Sequence, residues 1–350
     1  MKKKLKRIAV LTGGGDCPGL NAAIRAVTRS AYEQGVEVFG VEHGFQGFYN
    51  NRIRRLDLKE VSGILTRGGT ILKSSRFNPF KNEEWLAAYK RRVKEHKLDG
   101  IIVIGGDGSL GVALDSWRKL KIPTIGIPKT IDNDVYGTDF TIGFHTAVDT
   151  AVDAIDKLHT TAESHDFIMI VELMGRHCGM LAAFAGLAGG ADFILVPEKP
   201  VTVNQIVEAI RDRHARGKNF SIIVCAEDAK LYDENNKIIA ETPTTRDDYG
   251  KIKMGGVSYL IKEHLDQRLG FETRCVVLGH VQRGGIPSPM DRLIATQMGY
   301  KAIELAMKGQ WGKLVALENG EIVAKNLGVV RQGVKRMSDR IYQVSQTFFG

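Results

Sequence analysis

The sequence predicts an α/β protein of two domains, each built on a parallel-rich sheet flanked by helices. Three observations support this prediction. Continuous apolar runs, such as residues 101–104 and 221–226, are typical of strands that are buried on both faces. Patterns of helical periodicity, such as residues 147–158, separate these runs. The chain has 350 residues, which is longer than most domains that fold around a single hydrophobic core.

The elements follow one another in an alternating order. Because strand, helix and strand recur, the strands are expected to run parallel, and ligands of such sheets bind beyond the carboxyl ends of the strands. The polar segment 227–256 is interpreted as an excursion or hairpin rather than a linker. Candidate strands lie at residues 8–11, 101–104, 124–127, 167–173, 193–196, 221–226 and 275–278, and candidate helices at 21–34, 147–158, 203–216 and 256–268.

Composition and charge exclude several classes of protein. The formal net charge of +9 is compatible with an anionic ligand, but zinc-ligand spacing and aromatic RNA-binding motifs are both missing from the sequence, which argues against nucleic acid. The four cysteines form no CxxC pair, so a reducing cytoplasm is expected. The apolar stretch 179–197 is interrupted by glycines and by Asp192, so it is interpreted as a buried helix and strand rather than a membrane span.

The first candidate site follows the first apolar run. Residues 12–21 read T-G-G-G-D-C-P-G-L-N and precede a helix. Glycines let a backbone approach a phosphate closely, and the N-terminus of a helix favours negative charge. The alternative is a tight turn between strand and helix. The segment has neither the Walker A pattern nor the G-x-G-x-x-G spacing of a dinucleotide site.

Two more candidate sites follow the runs at 101–104 and 124–127. The first, G-G-D-G-S at residues 105–109, suits Mg²⁺ that bridges phosphate oxygens, with Asp107 as its ligand, or else a turn whose aspartate caps a helix. The second contains Lys129, Asp132 and Asp134. A carboxylate beside a cation stays ionised and can accept a proton from an attacking hydroxyl. The alternative there is a solvated Asx turn.

Together with three further segments, these motifs resemble the phosphofructokinase family. The six motifs occur in the family's order over roughly residues 8–310, and the ordered set is far more specific than any one of them. They are G-G-D-x-P-G-x-N-A-A-I-R at residues 14–25, R-G-G-T at 67–70, G-G-D-G-S at 105–109, T-I-D-N-D at 130–134, M-G-R-x-C-G at 174–179 and L-G-H-x-Q-R-G-G at 278–285.

The resemblance implies a role for each matching residue. Asp132 is expected to be the catalytic base, Arg176 to stabilise transition-state charge, and Asp107 to bind Mg²⁺. Arg274 resembles the arginine that reaches a neighbouring subunit's sugar phosphate. Implied donor-binding residues are Gly15, Arg76, Phe77, Gly105, Asp107, Gly108 and Ser109. Implied substrate-binding residues are Thr130, Asp132, Met174, Gly175, Arg176, Glu227, Arg274, His280 and Arg283; Thr130 is also expected to take part in catalysis.

The resemblance also implies an activity and an organisation. The expected activity is that of a 6-phosphofructokinase of glycolysis, which uses ATP and Mg²⁺ to phosphorylate the 1-hydroxyl of fructose 6-phosphate. A pyrophosphate-dependent phosphotransferase and a non-catalytic sugar-phosphate sensor are the alternatives. Residues 1–143 plus 282–332 would form the donor-binding domain and residues 144–281 plus 333–350 the sugar-phosphate domain, with the active site in the cleft between them. A cytoplasmic homotetramer with shared active sites is expected.

The phosphoryl donor is ambiguous, because the sequence departs from both family patterns. Members that use ATP usually have glycine at the positions of Gly108 and Lys129, whereas members that use pyrophosphate usually have aspartate and lysine. This mixture resembles the mixed-substrate branch of the family. Gly108 leaves room for a nucleotide, and the long stem of Lys129 need not exclude one, so ATP is the favoured donor.

Two further departures concern the acceptor and regulation. Phe167 stands where most members have an arginine that binds the sugar 6-phosphate. Either another cation compensates for this arginine, or the acceptor differs, for example sedoheptulose 7-phosphate. Arg25 and Arg29 match the effector site of bacterial members, whereas Leu58 and His159 replace typical arginines there. Regulation by ADP or phosphoenolpyruvate is therefore not expected.

Overall fold

A computed structural model describes residues 5–235, 237–239 and 256–349 of the chain. The chain divides into two compact units. The first unit comprises Met1–Thr146 and Arg283–Lys335, and the second comprises Ala147–Gln282 and Arg336–Gly350. Both contain largely parallel sheets with helices packed against them, so the predicted α/β class is confirmed.

The first unit is built on a seven-stranded sheet in the order β13-β12-β5-β4-β1-β2-β3. The central strands are parallel, and an antiparallel partner closes each edge, where β3 pairs with β2 and β13 with β12. The central strand β4 is buried along its whole length, which explains its unbroken apolar sequence. The strands are β1 (Arg7–Gly13), β2 (Glu37–Val41), β3 (Ile53–Leu56), β4 (Gly100–Gly105), β5 (Thr124–Pro128), β12 (Lys313–Glu318) and β13 (Glu321–Asn326).

Helices of the first unit cover the sheet. The helices α1 and α9 approach each other closely at Gly299, where an added Cβ would lie 2.6 Å from the Cβ of Ala26. Only glycine therefore permits this packing. The helices are α1 (Leu20–Glu33), α2 (Gln46–Tyr49), α3 (Glu83–Glu95), α4 (Asp107–Leu120) and α9 (Pro289–Met307), with short 3₁₀ segments at Pro79–Lys81 and Leu327–Arg331.

The second unit contains a four-stranded parallel sheet in the order β11-β6-β9-β7, and a two-residue pair, β8 and β10. Its strands are β6 (Ile168–Leu173), β7 (Phe193–Leu195), β8 (Val201–Thr202), β9 (Ser221–Ala226), β10 (Leu231–Tyr232) and β11 (Thr273–Val277). Its helices are α5 (Phe144–His165), α6 (Met180–Ala188), α7 (Val203–Ala215), α8 (Val257–Asp266) and α10 (Asp339–Gln346), with a 3₁₀ segment at Gly279–Arg283.

The polar segment predicted at residues 227–256 begins with a short hairpin. The amide of Ile239 donates to the carbonyl of Leu231 at 2.8 Å, and that of Asp233 to Lys237 at 2.9 Å. The remainder of this prediction, at residues 236 and 240–255, lies outside the described residues. Among the helices of residues 5–235 and 256–349, none combines the length and the apolar character needed to span a membrane.

Candidate active site

Three loops meet at the carboxyl edge of the first unit's sheet, because β1, β4 and β5 are neighbours there. Gly13 at the end of β1 pairs with Gly105 at the end of β4, and Gly105 pairs with Pro128 at the end of β5. The contact between the first two loops is tight, since a Cβ added to Gly13 would lie 2.4 Å from Ser109 Oγ. The three motifs predicted separately from the sequence thus adjoin one another.

The first loop, residues 13–16, is held by the segment that precedes Arg76. The amide of Gly14 donates to the Ser75 carbonyl at 3.0 Å, and the Ser74 hydroxyl donates to the Gly14 carbonyl at 2.6 Å. Gly14 has a φ of 87°, which favours glycine. On the other side of the loop, the Arg283 guanidinium would lie 3.1 Å from a Cβ added to Gly15. Gly15, Arg76 and Arg283 therefore belong to one neighbourhood.

The second loop leads directly into α4. Asp107 is the first residue of this helix, and Gly108 has open space around the position of a Cβ. Loss of solvation raises the pKa of Asp107 above its ordinary value, and repulsion from the Asp134 carboxylate raises it further, whereas Arg331 opposes the shift. Two carboxylates that repel each other at a helix N-terminus form a place where a cation would be stabilised.

The third loop is fixed by Asn133, which adopts a left-handed φ of 52° and is buried. Its side-chain oxygen accepts from the Thr141 amide at 3.0 Å, and its amide group donates to the Asp139 carbonyl at 3.0 Å. The Thr141 hydroxyl also donates to the Thr130 carbonyl at 2.6 Å. These bonds hold Thr130 and the half-buried Asp132 at the sheet edge, where the Asp132 amide donates to the Thr130 hydroxyl at 3.2 Å.

Lys129 is buried beneath the first loop, with only 2% of its surface exposed. Its ammonium donates to the Gly13 carbonyl at 3.0 Å and also to the carbonyl of Gly15. Burial lowers the pKa of Lys129 from its ordinary value. The lysine that the family pattern associates with donor choice therefore contacts the backbone of the first loop.

Arg76 and Phe77 differ in their environment. Arg76 is exposed, whereas the Phe77 ring packs 4.4 Å from that of Trp85 and 6.2 Å from that of Tyr49, measured between ring centres. This aromatic cluster anchors the segment that carries Arg76. Its position next to the first loop follows from the bonds made by Ser74 and Ser75.

In the second unit, another set of predicted residues meets at the carboxyl edge of the sheet. Met174, Gly175 and Arg176 follow β6 directly, and Glu227 follows the neighbouring strand β9. The Glu227 amide donates to the Leu173 carbonyl at 2.8 Å. On the other side of β6, strand β11 leads to the exposed His280. The implied sugar-phosphate ligands Met174, Arg176, Glu227 and His280 therefore extend from three adjacent strand ends.

Arg274 lies apart from this set within its own chain. It pairs with Met169 near the start of β6, about 13 Å along the strand from Leu173 at 3.3 Å per residue. Its guanidinium lies 5.4 Å from the centre of the Phe167 ring and forms an ion pair with Glu272. It is exposed and lies near the opposite end of the strands from those ligands.

The capacity of the first unit to hold a metal depends on few protein groups. Within the described parts of the chain there is no cluster of three or more histidine, cysteine or acidic side chains that would hold an ion by itself. Mg²⁺ in phosphate sites is commonly bound by one or two carboxylates together with substrate phosphates. The electrostatic coupling of Asp107 and Asp134 fits that type of site.

Sequence reasoning missed several residues that shape both sheet edges. Ser74 fastens the first loop, and the buried Glu172 binds the N-terminus of α8 through Gly256 and Ser258. Buried Asp291 accepts from the amides of Gly143 and Thr146, each at 2.8 Å. Only the neighbouring motifs hint at these residues, because a single serine or carboxylate carries no distinctive pattern of its own.

Known proteins resemble the chain over most of its length. The family model described as phosphofructokinase matches residues 7–306 of the chain. The chain belongs to the phosphofructokinase family. This match covers the first unit's three loops and the strand ends of the second unit.

Relatives in this family are named for two different phosphoryl donors, pyrophosphate and ATP. The chain is 43% identical over 347 residues to a pyrophosphate–fructose 6-phosphate 1-phosphotransferase of Dictyoglomus thermophilum, covering 98% of each chain. It is 47% identical over 332 residues to an ATP-dependent 6-phosphofructokinase of Chloroflexus aggregans, covering 92% of this chain and 90% of the relative. Among phosphofructokinases of solved structure, that of Pichia pastoris in the T-state superposes with a TM-score of 0.81 at 30% identity; the match spans 99% of this chain but 37% of the other.

Proposed function

We propose that this protein is an ATP-dependent 6-phosphofructokinase, which transfers the γ-phosphoryl group of ATP to the 1-hydroxyl of fructose 6-phosphate. The observation that carries the proposal is the meeting of the Gly13–Gly15, Asp107 and Asp132 loops at three adjacent strand ends. A glycine loop, a carboxylate for a cation and a base are the parts that phosphoryl transfer to a hydroxyl requires.

Asp132 is assigned as the general base. In the proposed reaction it accepts the proton of the sugar 1-hydroxyl as that oxygen attacks phosphorus. The Asn133 bonds hold its loop, and Thr130 lies beside it, so the carboxylate needs little reorganisation to reach the substrate. Arg176 is assigned as a cation that stabilises the negative charge of the transferred group.

Mg²⁺ is the cofactor assigned to Asp107, with Asp134 nearby. When bound, the ion would neutralise charge on the phosphate oxygens of the donor. Gly15, Gly105, Gly108, Ser109, Arg76 and Phe77 are assigned to the donor, and Met174, Gly175, Glu227, His280 and Arg283 to the sugar phosphate. Arg274 is assigned to the sugar phosphate of a neighbouring subunit in a cytoplasmic homotetramer, because its own sheet edge does not include it.

ATP is favoured over pyrophosphate because Gly108 leaves space at the start of α4. A Cβ added there would meet no heavy atom within 4 Å. The alternative, a pyrophosphate-dependent phosphotransferase, is supported by the name of the Dictyoglomus relative and by the family pattern at position 129, where members that use pyrophosphate usually have lysine. A sensor without activity is disfavoured because Asp107, Asp132 and Arg176 are all present.

One assay matrix tests the proposal. ATP and pyrophosphate are each combined with fructose 6-phosphate and with sedoheptulose 7-phosphate, in the presence of Mg²⁺. We expect turnover with ATP and fructose 6-phosphate, and a fall in kcat of about 10²–10⁴-fold in Asp132→Asn. Turnover with pyrophosphate alone would reverse the choice of donor. Near-normal turnover of Asp132→Asn would remove the proposed base.

A further inference from the structure

The side chain of Lys129 is buried, and a role in donor choice alone does not explain its burial. An ammonium removed from water is costly unless hydrogen bonds replace its hydration. Here the ammonium donates to two backbone carbonyls of the same loop, those of Gly13 and Gly15. If Lys129 served only to contact the donor, its two hydrogen bonds to the loop backbone would have no part in its role.

The orientation of the peptide units explains what these bonds do. In a trans peptide, the C=O and the following N–H point in opposite directions, and every described peptide bond in this chain is trans. When the Gly13 and Gly15 carbonyls point at Lys129, the amides of Gly14 and Asp16 must point away from it. The Gly14 amide indeed donates in another direction, to the Ser75 carbonyl at 3.0 Å.

The Asp16 amide is the group left facing outward. Asp16 is exposed, and among the described residues no backbone or side-chain group accepts a hydrogen bond from its amide. Outward amides of a glycine loop, with a helix N-terminus following at Leu20, are suited to the oxygens of an anion. The ammonium behind the loop adds positive potential at the same place.

We infer that Lys129 is a positioning residue, which orients the peptide units of residues 13–16 so that they bind the phosphates of either donor. Its bonds act on the loop backbone, and both ATP and pyrophosphate present phosphate oxygens to that backbone. Lys129 therefore supports affinity for both donors and does not choose between them. This inference rests on the proposed function for its assays, but the loop geometry can be tested without turnover.

The test compares Lys129→Met with Lys90→Met, an exposed lysine on α3 in the same unit. Calorimetric titration measures the affinity of the full-length protein for ADP and for pyrophosphate, each with Mg²⁺. We expect Lys129→Met to weaken both by about ten- to a hundredfold, the range for loss of hydrogen bonds from a charged donor. Lys90→Met should leave both affinities unchanged.

Steady-state kinetics supply a second readout. The KM of the donor that supports turnover should rise in Lys129→Met, while the KM for fructose 6-phosphate changes less than about twofold, a split that general damage to the fold would not give. Loss of pyrophosphate binding with ADP binding intact would overturn the inference, because Lys129 would then select the donor. Unchanged affinity for both would also overturn it.

A second variant covers the case in which Lys129→Met does not fold. Ser74→Ala removes the hydroxyl that donates to the Gly14 carbonyl at 2.6 Å and so loosens the same loop from its other side. It should weaken ADP and pyrophosphate together, by a smaller factor. Unchanged binding of both by Ser74→Ala, in the absence of a folded Lys129 variant, would overturn the inference. If the wild type binds both ligands but phosphorylates no sugar, only the proposed function fails.

Discussion

The guanidinium of Arg274 lies over the ring of Phe167, at 5.4 Å from its centre, and the His165 ring stacks on Phe167 at 5.0 Å. A cation over an aromatic face is attracted by the ring quadrupole. Phe167 occupies the position at which the resemblance to the family predicts an arginine. In this chain the aromatic ring at that position packs against the guanidinium of Arg274 instead.

Replacing Phe167 by leucine should therefore weaken the binding of the sugar-phosphate acceptor. Leucine keeps the apolar bulk but loses the ring, and we expect the KM for fructose 6-phosphate to rise about two- to fivefold, which corresponds to roughly 0.5–1 kcal/mol. The donor KM should not change. Phe348→Leu, at an exposed position of the second unit, is the control. An unchanged acceptor KM in Phe167→Leu would show that Arg274 is not positioned by the ring.

Glu172 is buried at the centre of a small hydrogen-bond network. Its carboxylate accepts from the Ser258 hydroxyl at 2.7 Å, from the Ser258 amide at 2.9 Å and from the Gly256 amide at 3.0 Å. Glutamine would present an amide group to these donors, so Glu172→Gln should destabilise the protein by about 1–3 kcal/mol. Urea unfolding followed by circular dichroism measures the change. Glu263→Gln, at an exposed position of α8, should be close to neutral.

Asp291 provides a prediction about pH. Burial raises its pKa above the ordinary 3.8, and hydrogen bonds from Thr146 and Gly143 oppose the shift. Between the unfolded and the folded pKa, the native state binds more protons than the unfolded state. The contribution of Asp291 to stability therefore falls as pH rises through this window.

The variant Asp291→Asn removes that titration. The amount by which the unfolding free energy of the wild type exceeds that of the variant should become smaller from pH 4 to pH 7. Chemical denaturation at each pH measures both free energies. Asp153→Asn, on an exposed face of α5, serves as the control for surface charge. A difference that stays constant with pH would mean that Asp291 does not titrate with folding.

Gly108 and Gly111 form a matched pair for testing the donor. Both lie in α4, and a Cβ added to either would meet no heavy atom within 4 Å, so both should accept aspartate without loss of the fold. Gly108→Asp places a carboxylate beside Asp107. It should raise the KM for ATP about tenfold, the effect of roughly 1.4 kcal/mol of repulsion. Steady-state assays should find Gly111→Asp nearly unchanged, and equal effects of the two would contradict the assignment.

Lys73 has a left-handed φ of 57°, and it lies in a loop rather than at the end of a helix. A side chain in this region is strained, so Lys73→Gly should stabilise the protein by about 0.5–1 kcal/mol despite the greater freedom of glycine in the unfolded chain. Thermal unfolding measures the change. The same substitution at Lys90, inside α3, should instead destabilise by about 1 kcal/mol. Destabilisation by Lys73→Gly would show that its side chain makes a favourable contact.

Several buried parallel strands were predictable because their sequences are apolar without interruption. The parallel strands β2 and β12, which contain Glu37 and Gly40 or begin and end with Lys313 and Glu318, were missed. The runs at 8–11, 101–104 and 124–127 correspond to β1, β4 and β5, and the helical pattern at 21–34 corresponds to α1. The edge strands β3 and β13 were missed. They alternate between partly buried and exposed residues and contain arginine or lysine, so neither hydrophobicity nor length marks them as strands.

Helix α9 was missed for a different reason. Its buried side, which includes Met298 and Ala302, packs closely, while Leu293 and Tyr300 are 58% and 62% exposed on another side. Apolar residues around the whole helix remove the periodic signal on which prediction depends. Likewise, the order of the site loops followed from strand adjacency, but the carbonyl partners of Lys129 follow only from the backbone conformation of a glycine loop.

The bonds beneath the first loop also restrict how this enzyme can diverge. A lineage that exchanged Lys129 for glycine would leave two carbonyls facing an empty, buried space, and the exchange would be tolerated only after water or a neighbouring side chain had taken over their hydrogen bonds. The fold depends on no such hydrogen bonds at Gly108, so it tolerates a side chain there without any other change. The two positions should therefore change in a fixed order during evolution, with residue 108 first.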